Sequence, residues 1–162
     1  MRKRTKSKSP LDYAFRVLAH KDYTEKEMRE KLLSRFSREE ADECMEKLHG
    51  YGYIDDLKFA ENFTASRLNS GYGPYYILPR LKQKGVFVDE GFIENTAHAK
   101  DIDIEGIMRD TGKKYLEKKS GEDRIKVRQK TWAFLMRRGF EGRMIDKLIE
   151  ELFDESNFHS GC

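Results

Sequence analysis

The chain has 162 residues, of which 38% are charged and 38% are hydrophobic. This length suits one domain or a short series of small ones. No stretch approaches the roughly 18 uninterrupted apolar residues of a membrane-spanning helix, and no apolar stretch follows the basic N-terminus as in a secretory leader. The only two cysteines, Cys44 and Cys162, do not suit a disulfide framework. We therefore expect a cytoplasmic protein that does not interact with membranes.

The basic charge is unevenly distributed along the chain. The formal net charge is +3, from 32 basic and 29 acidic side chains. Residues 1–10 contribute five basic side chains and no acid, so the rest of the chain carries 27 basic and 29 acidic groups. Residues 67–88 hold four basic side chains and no acid, and residues 113–143 hold eleven against four. These two segments predict positive patches that meet a polyanion or an acidic protein; the alternative is an ordinary solvated helix surface.

Local signals predict three short helices in residues 10–54. The pair Ser9–Pro10 is typical of an N-cap and a first helical residue. The segments Thr24–Glu27 and Ser37–Glu40 both fit the capping box that begins a helix. Gly50 follows the apolar positions of the third helix, where glycine commonly ends a helix.

Two further three-helix repeats are predicted over residues 55–100 and 101–153. Asp55 and Asp89 are suitable N-caps, and Gly73–Pro74 is typical of a helix start. In the third repeat, apolar residues continue at helical spacing, and we expect Trp132 to lie in its core. No segment has the pattern of a strand, so the predicted fold class is all-α.

Three similar segments indicate that the helix triplet is repeated. Leu32–Phe36, Leu81–Val86 and Leu135–Phe140 each combine a leucine, basic residues and a bulky apolar residue at the end of a second helix. A period of about 50 residues predicts a tandem array of three three-helix repeats, forming an elongated, curved molecule. We expect a basic disordered tail at residues 1–9 and a flexible tail at 154–162.

The sequence contains no recognisable catalytic or metal-binding motif. It lacks a phosphate-binding loop, and its four histidines have no zinc-ligand spacing. The adjacent pair Asp55–Asp56 is compatible with a magnesium site, but helix capping explains it better. We therefore expect no cofactor, no bound metal and no enzymatic activity, with an unrecognised enzyme as a remote alternative.

Aromatic and basic residues are the candidates for a partner-binding surface. Three tyrosines lie beside glycine turns and basic residues, where they either pack over helix corners or offer a surface for stacking. The basic candidates come from the two positive segments. The complete candidate set is Arg67, Tyr72, Tyr75, Tyr76, Arg80, Lys82, Lys84, Lys113, Lys114, Lys118, Lys119, Arg124, Lys126, Arg128, Lys130, Arg137 and Arg138.

The middle of the chain resembles the central signature of the RecX family, regulators of the RecA recombinase. The residues that carry this resemblance are Gly52–Asp56, Phe59, Ala60, Phe63, Ser66, Arg67, Gly71–Pro74, Ile77, Leu81 and Lys84–Val86. The flanking repeats agree at Leu18, Ala19, Tyr23, Thr24, Glu27, Leu32, Leu33, Phe134, Leu135 and Arg138–Phe140. The resemblance extends over about residues 11–153.

The resemblance implies tandem three-helix repeats and a function without catalysis. It implies that the protein binds the RecA–DNA filament in its helical groove and limits filament growth or promotes disassembly. RecA is then the main partner, with single- or double-stranded DNA as a secondary and non-specific one. Separately from the resemblance, we expect a monomer. Two positions depart from the family pattern: Pro79 predicts a kink within a helix, and Arg80 makes this surface more basic.

A second interpretation of the helix triplets is direct DNA binding, because they resemble helix-turn-helix units. Each third helix lies in or beside an acidic segment, which disfavours insertion into the major groove. The sequence therefore favours the regulator of a recombinase filament over a direct DNA-binding protein.

Overall fold

The computed structural model describes residues 9–119 and 121–158. Within these residues the chain forms nine α-helices and no strand, which confirms the predicted all-α class. The helices are α1 Pro10–Leu18, α2 Glu25–Leu33, α3 Arg38–Gly50, α4 Asp56–Asn69, α5 Pro74–Gln83, α6 Glu90–Ala99, α7 Ile104–Glu117, α8 Arg124–Arg137 and α9 Gly142–Phe158. None of these helices is long and apolar enough to cross a bilayer.

The two predicted tails lie partly or wholly beyond the described residues. Of the basic tail predicted at 1–9, only Ser9 is described, and it occupies the N-cap position of α1. The tail predicted at 154–162 begins within α9, and residues 159–162 lie outside the described part of the chain.

The described chain divides into two compact units. The first contains the residues up to Ala60 together with Leu81–Phe87, and the second contains Glu61–Arg80 together with the residues from Val88 onward. Helices α4 and α5 therefore each contribute residues to both units. By contrast, α1–α3 belong wholly to the first unit and α6–α9 to the second.

Local caps begin α2 and α3 in the first unit. The Thr24 hydroxyl accepts from the Glu27 amide at 3.2 Å, and the Glu27 carboxylate accepts from the Thr24 amide at 3.3 Å. Ser37 and Glu40 form the same reciprocal pair at 3.2 and 2.9 Å, so both predicted capping boxes are confirmed. Helices α1–α3 enclose an apolar core. Its buried members are Tyr13, Ala14, Met28, Leu32, Ala41, Cys44, Met45, Leu48 and Ile54.

The start of α2 is also anchored by residues distant in the sequence. The Asp56 carboxylate accepts from the Glu25 amide at 2.8 Å, which satisfies one of the free amides of the first helical turn. The buried Thr24 hydroxyl donates to the Lys84 carbonyl at 2.7 Å. These bonds attach the start of α4 and the end of α5 to α2 within the first unit.

Helices α7–α9 form the main core of the second unit. The buried members of this core are Met108, Val127, Leu135, Phe140, Ile145, Leu148, Ile149, Leu152 and Phe153. On α8 the buried positions are Val127, Thr131 and Leu135, which follow one another at four-residue intervals. This stripe decides which side of α8 faces the core.

The prediction that Trp132 lies in the core is wrong. Its side chain is 38% exposed, and its indole N–H donates to the Asp146 carboxylate at 2.8 Å. Trp132 lies one residue beyond Thr131 and therefore about 100° around the helix from the buried stripe. Ile125, which lies seven residues before Trp132 and so on the same side of α8, is itself 70% exposed, and both residues therefore belong to an outward surface of α8.

Two glycine turns of the second unit meet backbone to backbone. The Gly73 amide donates to the Arg138 carbonyl at 2.8 Å, and the Tyr75 amide donates to the Gly139 carbonyl at 3.0 Å. A Cβ on Gly73 would collide with the Gly139 carbonyl, and one on Gly139 would collide with the Tyr76 backbone. Gly139 also has a φ of 84°, which side-chain-bearing residues rarely adopt. The start of α5 and the end of α8 are thus held together by hydrogen bonds that require both glycines.

Helix α5 begins at Pro74 and continues through Pro79 to Gln83. A proline at the first helical position needs no amide donor, whereas an internal one deprives the carbonyl four residues earlier of its usual partner. In α5 that carbonyl belongs to Tyr75. The next residue, Tyr76, contacts Arg80 as described below.

Candidate partner interface

The adjacent acids Asp55 and Asp56 cap two different helices. The Asp55 carboxylate accepts from the Lys58 amide at 3.0 Å at the start of α4, while Asp56 caps α2 as described above. These bonds confirm the cap interpretation of the pair. In the described part of the chain, no group of three or more His, Cys, Asp or Glu side chains is arranged to hold a metal ion.

Two of the candidate tyrosines stack between two candidate arginines in the second unit. The rings of Tyr72 and Tyr76 lie 3.9 Å apart between centroids and are inclined by 25°. The Arg80 guanidinium lies 3.3 Å from the Tyr76 centroid, and the Arg138 guanidinium lies 4.4 Å from that of Tyr72. Such cation–π and ring contacts each contribute about 0.5–2 kcal/mol. The four side chains therefore support one another.

The stack continues onto α7 through Arg138. Its guanidinium also lies 5.1 Å from the Phe134 ring, and Phe134 stacks on Tyr115 at 4.3 Å and 13°. We call the six residues Arg80, Tyr76, Tyr72, Arg138, Phe134 and Tyr115 the arginine–aromatic stack. Phe134 and Tyr115 were not among the candidates. A signal was available for Phe134, because it precedes Arg138 by four residues and so lies on the same side of α8.

Tyr75 has a different environment from the two stacked tyrosines. Its ring is 49% exposed. A hydrogen bond between its hydroxyl and the Glu90 carboxylate, together with the charges of Glu90 and Glu141, raises the pKa of Tyr75. The structure therefore places Tyr72 and Tyr76 among arginines and Tyr75 among acids.

Several candidate cations are engaged inside the protein. Lys84 donates to Glu27 at 2.5 Å in the first unit. Burial alone would raise the pKa of Glu27, but hydrogen bonds from Lys84 and from the Thr24 amide outweigh it, and the pKa is lowered. Arg80 also donates to the Tyr76 carbonyl at 3.1 Å.

Three cations of the third helix triplet have similar internal contacts. Lys130 and Lys119 both contact the Glu122 carboxylate, and their hydrogen bonds lower the pKa of Glu122, with that from Lys130 the larger. Arg124 donates to the Phe153 carbonyl, across from α8 to α9. These contacts orient the three cations but also satisfy part of their charge.

The other candidate cations differ in burial. The guanidinium of Arg67 lies 5.0 Å from the Phe63 ring, and its Nε is buried without a hydrogen-bond partner among the described residues. The remaining ones are exposed, and none forms an ion pair within residues 9–119 and 121–158. They are Lys82 in the first unit and Lys113, Lys114, Lys118, Lys126, Arg128 and Arg137 in the second.

A cavity of about 380 Å³ lies beside the arginine–aromatic stack in the second unit. It is formed by the end of α4, one side of α7 and the later part of α8. Lys114, Lys118 and Arg138 line it, together with the rings of Tyr115 and Phe134. The structure thus brings three of the candidate cations to one concave site, which the other candidate cations do not line.

The family models and the known proteins that match this chain cover most of its length and point to one family. Three family models match, described as the first, second and third three-helix domains of RecX, over residues 11–48, 55–87 and 105–149. The regulatory protein RecX of Legionella pneumophila (strain Corby) is 32% identical, covering 88% of this chain and 93% of its own. That of Chlorobium phaeobacteroides (strain BS1) is 34% identical, covering 92% and 97%.

Solved structures show the same fold. The crystal structure of RecX from Lactobacillus salivarius has a TM-score of 0.71 at 24% identity, covering 88% of this chain and 94% of its own. A second crystal structure, of a regulatory protein RecX, has a TM-score of 0.68 at 21% identity, covering 86% and 69%. The chain is therefore a protein of three tandem three-helix domains, as predicted. It belongs to the RecX family of regulatory proteins.

Proposed function

We propose that this protein binds the RecA–DNA filament and restrains recombinase activity, by blocking filament growth or promoting disassembly. It acts as a cytoplasmic, monomeric regulator of recombination and DNA repair, without catalysis of its own. The observation that carries this proposal is the match to RecX regulatory proteins over all three helix triplets.

The distribution of exposed charge supports a partner that offers repeated contacts. Exposed cations that form no ion pair with any described residue lie on α5, α7 and α8, and so in both the second and the third helix triplet. A filament of identical protomers presents the same groove repeatedly, so that several modest contacts combine through their high effective concentration. Acidic protein surfaces and DNA phosphates both complement these cations, with DNA as the secondary and non-specific partner.

The test is the DNA-dependent ATPase activity and the filament length of the host recombinase, measured with substoichiometric protein. We expect inhibition that weakens as salt is raised, because exposed charges are screened. An ATPase rate and a filament length that stay unchanged at every salt concentration would overturn the proposal.

Lys82 is the position at which a charge reversal tests most directly whether the surface of α5 binds the partner. Of the three cations near the end of α5, Arg80 stacks on Tyr76 and Lys84 is bonded to Glu27, so that reversing either also removes internal contacts. Lys82→Glu changes charge on an exposed side chain alone. We expect the half-inhibitory concentration to rise about fivefold, as is typical for an interface charge worth about 1 kcal/mol.

The matched control is Lys47→Glu, an equal charge reversal at an exposed position of α3 outside the candidate set. It should leave inhibition and the helical circular dichroism signal unchanged. Equal effects of the Lys82 and Lys47 variants would show that net charge, and not the surface of α5, governs binding.

A further inference from the structure

The cavity beside the arginine–aromatic stack combines features that a purely electrostatic surface does not need. Three cations, Lys114, Lys118 and Arg138, line it together with the aromatic rings of Tyr115 and Phe134. Its volume of about 380 Å³ lies within the range of roughly 300–1,000 Å³ found for small-molecule sites. All of its lining residues belong to the second unit.

Arg138 is held in place before any ligand binds. Its guanidinium lies 4.4 Å from the Tyr72 ring and 5.1 Å from the Phe134 ring, and it donates to the Ser70 carbonyl at 3.1 Å. An arginine has five N–H donors, and within the described residues Ser70 is the only hydrogen-bond acceptor of this one. The remaining donors are therefore oriented at low entropic cost, which favours binding of an anion.

Lys114 near the end of α7 and Lys118, the residue that caps it, add two further charges to the cavity lining. They are four residues apart, and because Lys118 keeps helical backbone angles it lies on the same side as Lys114; both side chains are exposed. Neither forms an ion pair within residues 9–119 and 121–158. Two ammonium groups and a fixed guanidinium around one cavity are suited to a phosphate group, which arginine recognises through paired donors.

The rest of the lining favours a nucleotide over an acidic peptide. Tyr115 and Phe134 form an aromatic wall, against which a base can pack. Asp110 also lines the cavity, and its carboxylate is an acceptor for the N–H groups of a base or the hydroxyls of a sugar. The same carboxylate would repel the side chains of an acidic peptide.

We propose that this cavity binds one nucleotide unit, with the phosphate at Lys114, Lys118 and Arg138 and the base against Tyr115 and Phe134. The unit is either a free nucleotide or one residue of a nucleic-acid strand, since both carry the same chemistry. In the strand form, the site deepens the secondary nucleic-acid contact proposed above. The inference otherwise does not depend on the recombinase.

The test measures binding to the whole protein without any recombinase, by titration calorimetry and by anisotropy of a labelled oligonucleotide. The probes are adenosine and thymidine monophosphate, a short oligothymidylate, inorganic phosphate and a glutamate-rich peptide. We expect at least one nucleotide probe to bind more tightly than phosphate or the peptide. Binding of the monophosphates identifies a free nucleotide, whereas binding of the oligothymidylate alone identifies a strand.

Charge-matched variants distinguish binding in the cavity from a general effect of the protein's positive charge. Lys114→Glu with Lys118→Glu should weaken nucleotide binding about tenfold or more, because both charges contact the same phosphate. The control is Lys113→Glu with Lys126→Glu, which makes the same change of charge on α7 and α8 at exposed positions outside the cavity. The control should change the affinity less than about twofold, because neither side chain lines the cavity and exposed charges are screened by salt.

A third variant tests the aromatic wall. Tyr115→Leu keeps an apolar side chain but removes the ring, and we expect nucleotide binding to weaken about fivefold while phosphate binding is unchanged. Urea unfolding of this variant checks that α7 and α8 remain packed, and Asp110→Asn provides a second change to the nucleotide-specific part of the wall. Unchanged nucleotide affinity in both folded variants would contradict contact with the base or sugar.

Three results would overturn the proposal: equal losses in the two lysine pairs, equal or tighter binding of the glutamate-rich peptide, or no binding of any nucleotide probe. Failure of this site is distinguishable from failure of the proposed function. If the protein still inhibits the recombinase while no nucleotide binds, the regulator stands and the nucleotide site does not. If nucleotides bind but the recombinase is unaffected, the reverse holds.

Discussion

Residues 67–88 and residues 113–143 are both rich in basic side chains, yet the described structure engages their charges differently. In the first segment, Arg67 packs on Phe63, Arg80 stacks on Tyr76 and Lys84 is bonded to Glu27, which leaves Lys82 as an exposed cation without an ion pair. In the second, six of the candidate cations are exposed without an ion pair among the described residues. These are Lys113, Lys114, Lys118, Lys126, Arg128 and Arg137.

The difference shows that density of charge in a sequence is a poor measure of charge available to a partner. A basic side chain that stacks on an aromatic ring or reaches a distant carboxylate stabilises the fold. One that extends from a helix into solvent contributes little to the fold and remains able to contact phosphate or acidic protein. The first segment thus helps to build the repeat, while the second carries more of the available charge.

The largest loss of stability should come from a substitution in the glycine turn that positions the arginine–aromatic stack. Gly139→Ala forces a side chain into a position with φ of 84° that is already occupied by the Tyr76 backbone. We expect the free energy of unfolding to fall by roughly 3–5 kcal/mol, from backbone strain and displacement of α5. Urea unfolding of the purified variant measures the loss.

The control for this prediction is Gly121→Ala. Gly121 has a similar φ of 91°, but a Cβ there would have no neighbour within 4 Å. This change should cost about 1–2 kcal/mol, since only the left-handed backbone penalty remains. If the two variants are equally destabilised, the contact between the two glycine turns does not stabilise the protein.

An intermediate effect is expected at Arg138, which belongs to the basic segment but acts in the stack. Arg138→Ala removes contacts with Tyr72 and Phe134 and the hydrogen bond to the Ser70 carbonyl. The free energy of unfolding should fall by roughly 1–3 kcal/mol. Its neighbour Arg137 is exposed, so Arg137→Ala should change stability by no more than about 0.5 kcal/mol. Equal losses at the two adjacent positions would contradict the division between structural and available charge.

The smallest effect concerns Lys84 and is best seen in acid. Lys84→Met keeps the apolar stem but removes the charge bonded to Glu27, and we expect a loss of about 1 kcal/mol at neutral pH. The pKa of Glu27 is lowered from its ordinary value of 4.5 in the folded protein. The stabilisation is therefore complete above pH 4.5 and is lost as pH falls through the lower folded value.

Unfolding curves recorded from neutral pH down through this range should converge for the wild type and the Lys84→Met variant. Lys82→Met serves as the control, because that side chain is exposed and its removal should leave the pH dependence unchanged. A constant difference between wild type and Lys84→Met at all pH values would mean that the ionised Glu27 is not the partner that matters.

Local features of the fold were predictable from the sequence because their partners are close along the chain. The capping boxes at Thr24 and Ser37 use a residue three positions later, and Asp89 likewise accepts from the Phe92 amide at 2.9 Å. The same holds for the apolar spacing of α3 and α9, whose apolar residues lie in the packed cores, but not for Ile125 and Trp132 of α8, which are exposed. The RecX signature was also readable, since it depends on the order of residues alone.

Only the tertiary structure decided which residues the charged and aromatic side chains of the two basic segments contact. Lys84 reaches Glu27 across 57 positions, and Arg138 reaches the Ser70 carbonyl across 68. The outward position of Trp132 likewise depends on which stripe of α8 is buried against its neighbours. Contacts of this kind follow from how helices pack, and helical spacing and net charge carry no information about the residue opposite. The sequence therefore determined the helices, their caps and the family, while packing determined which charges hold the fold and which remain available to a partner.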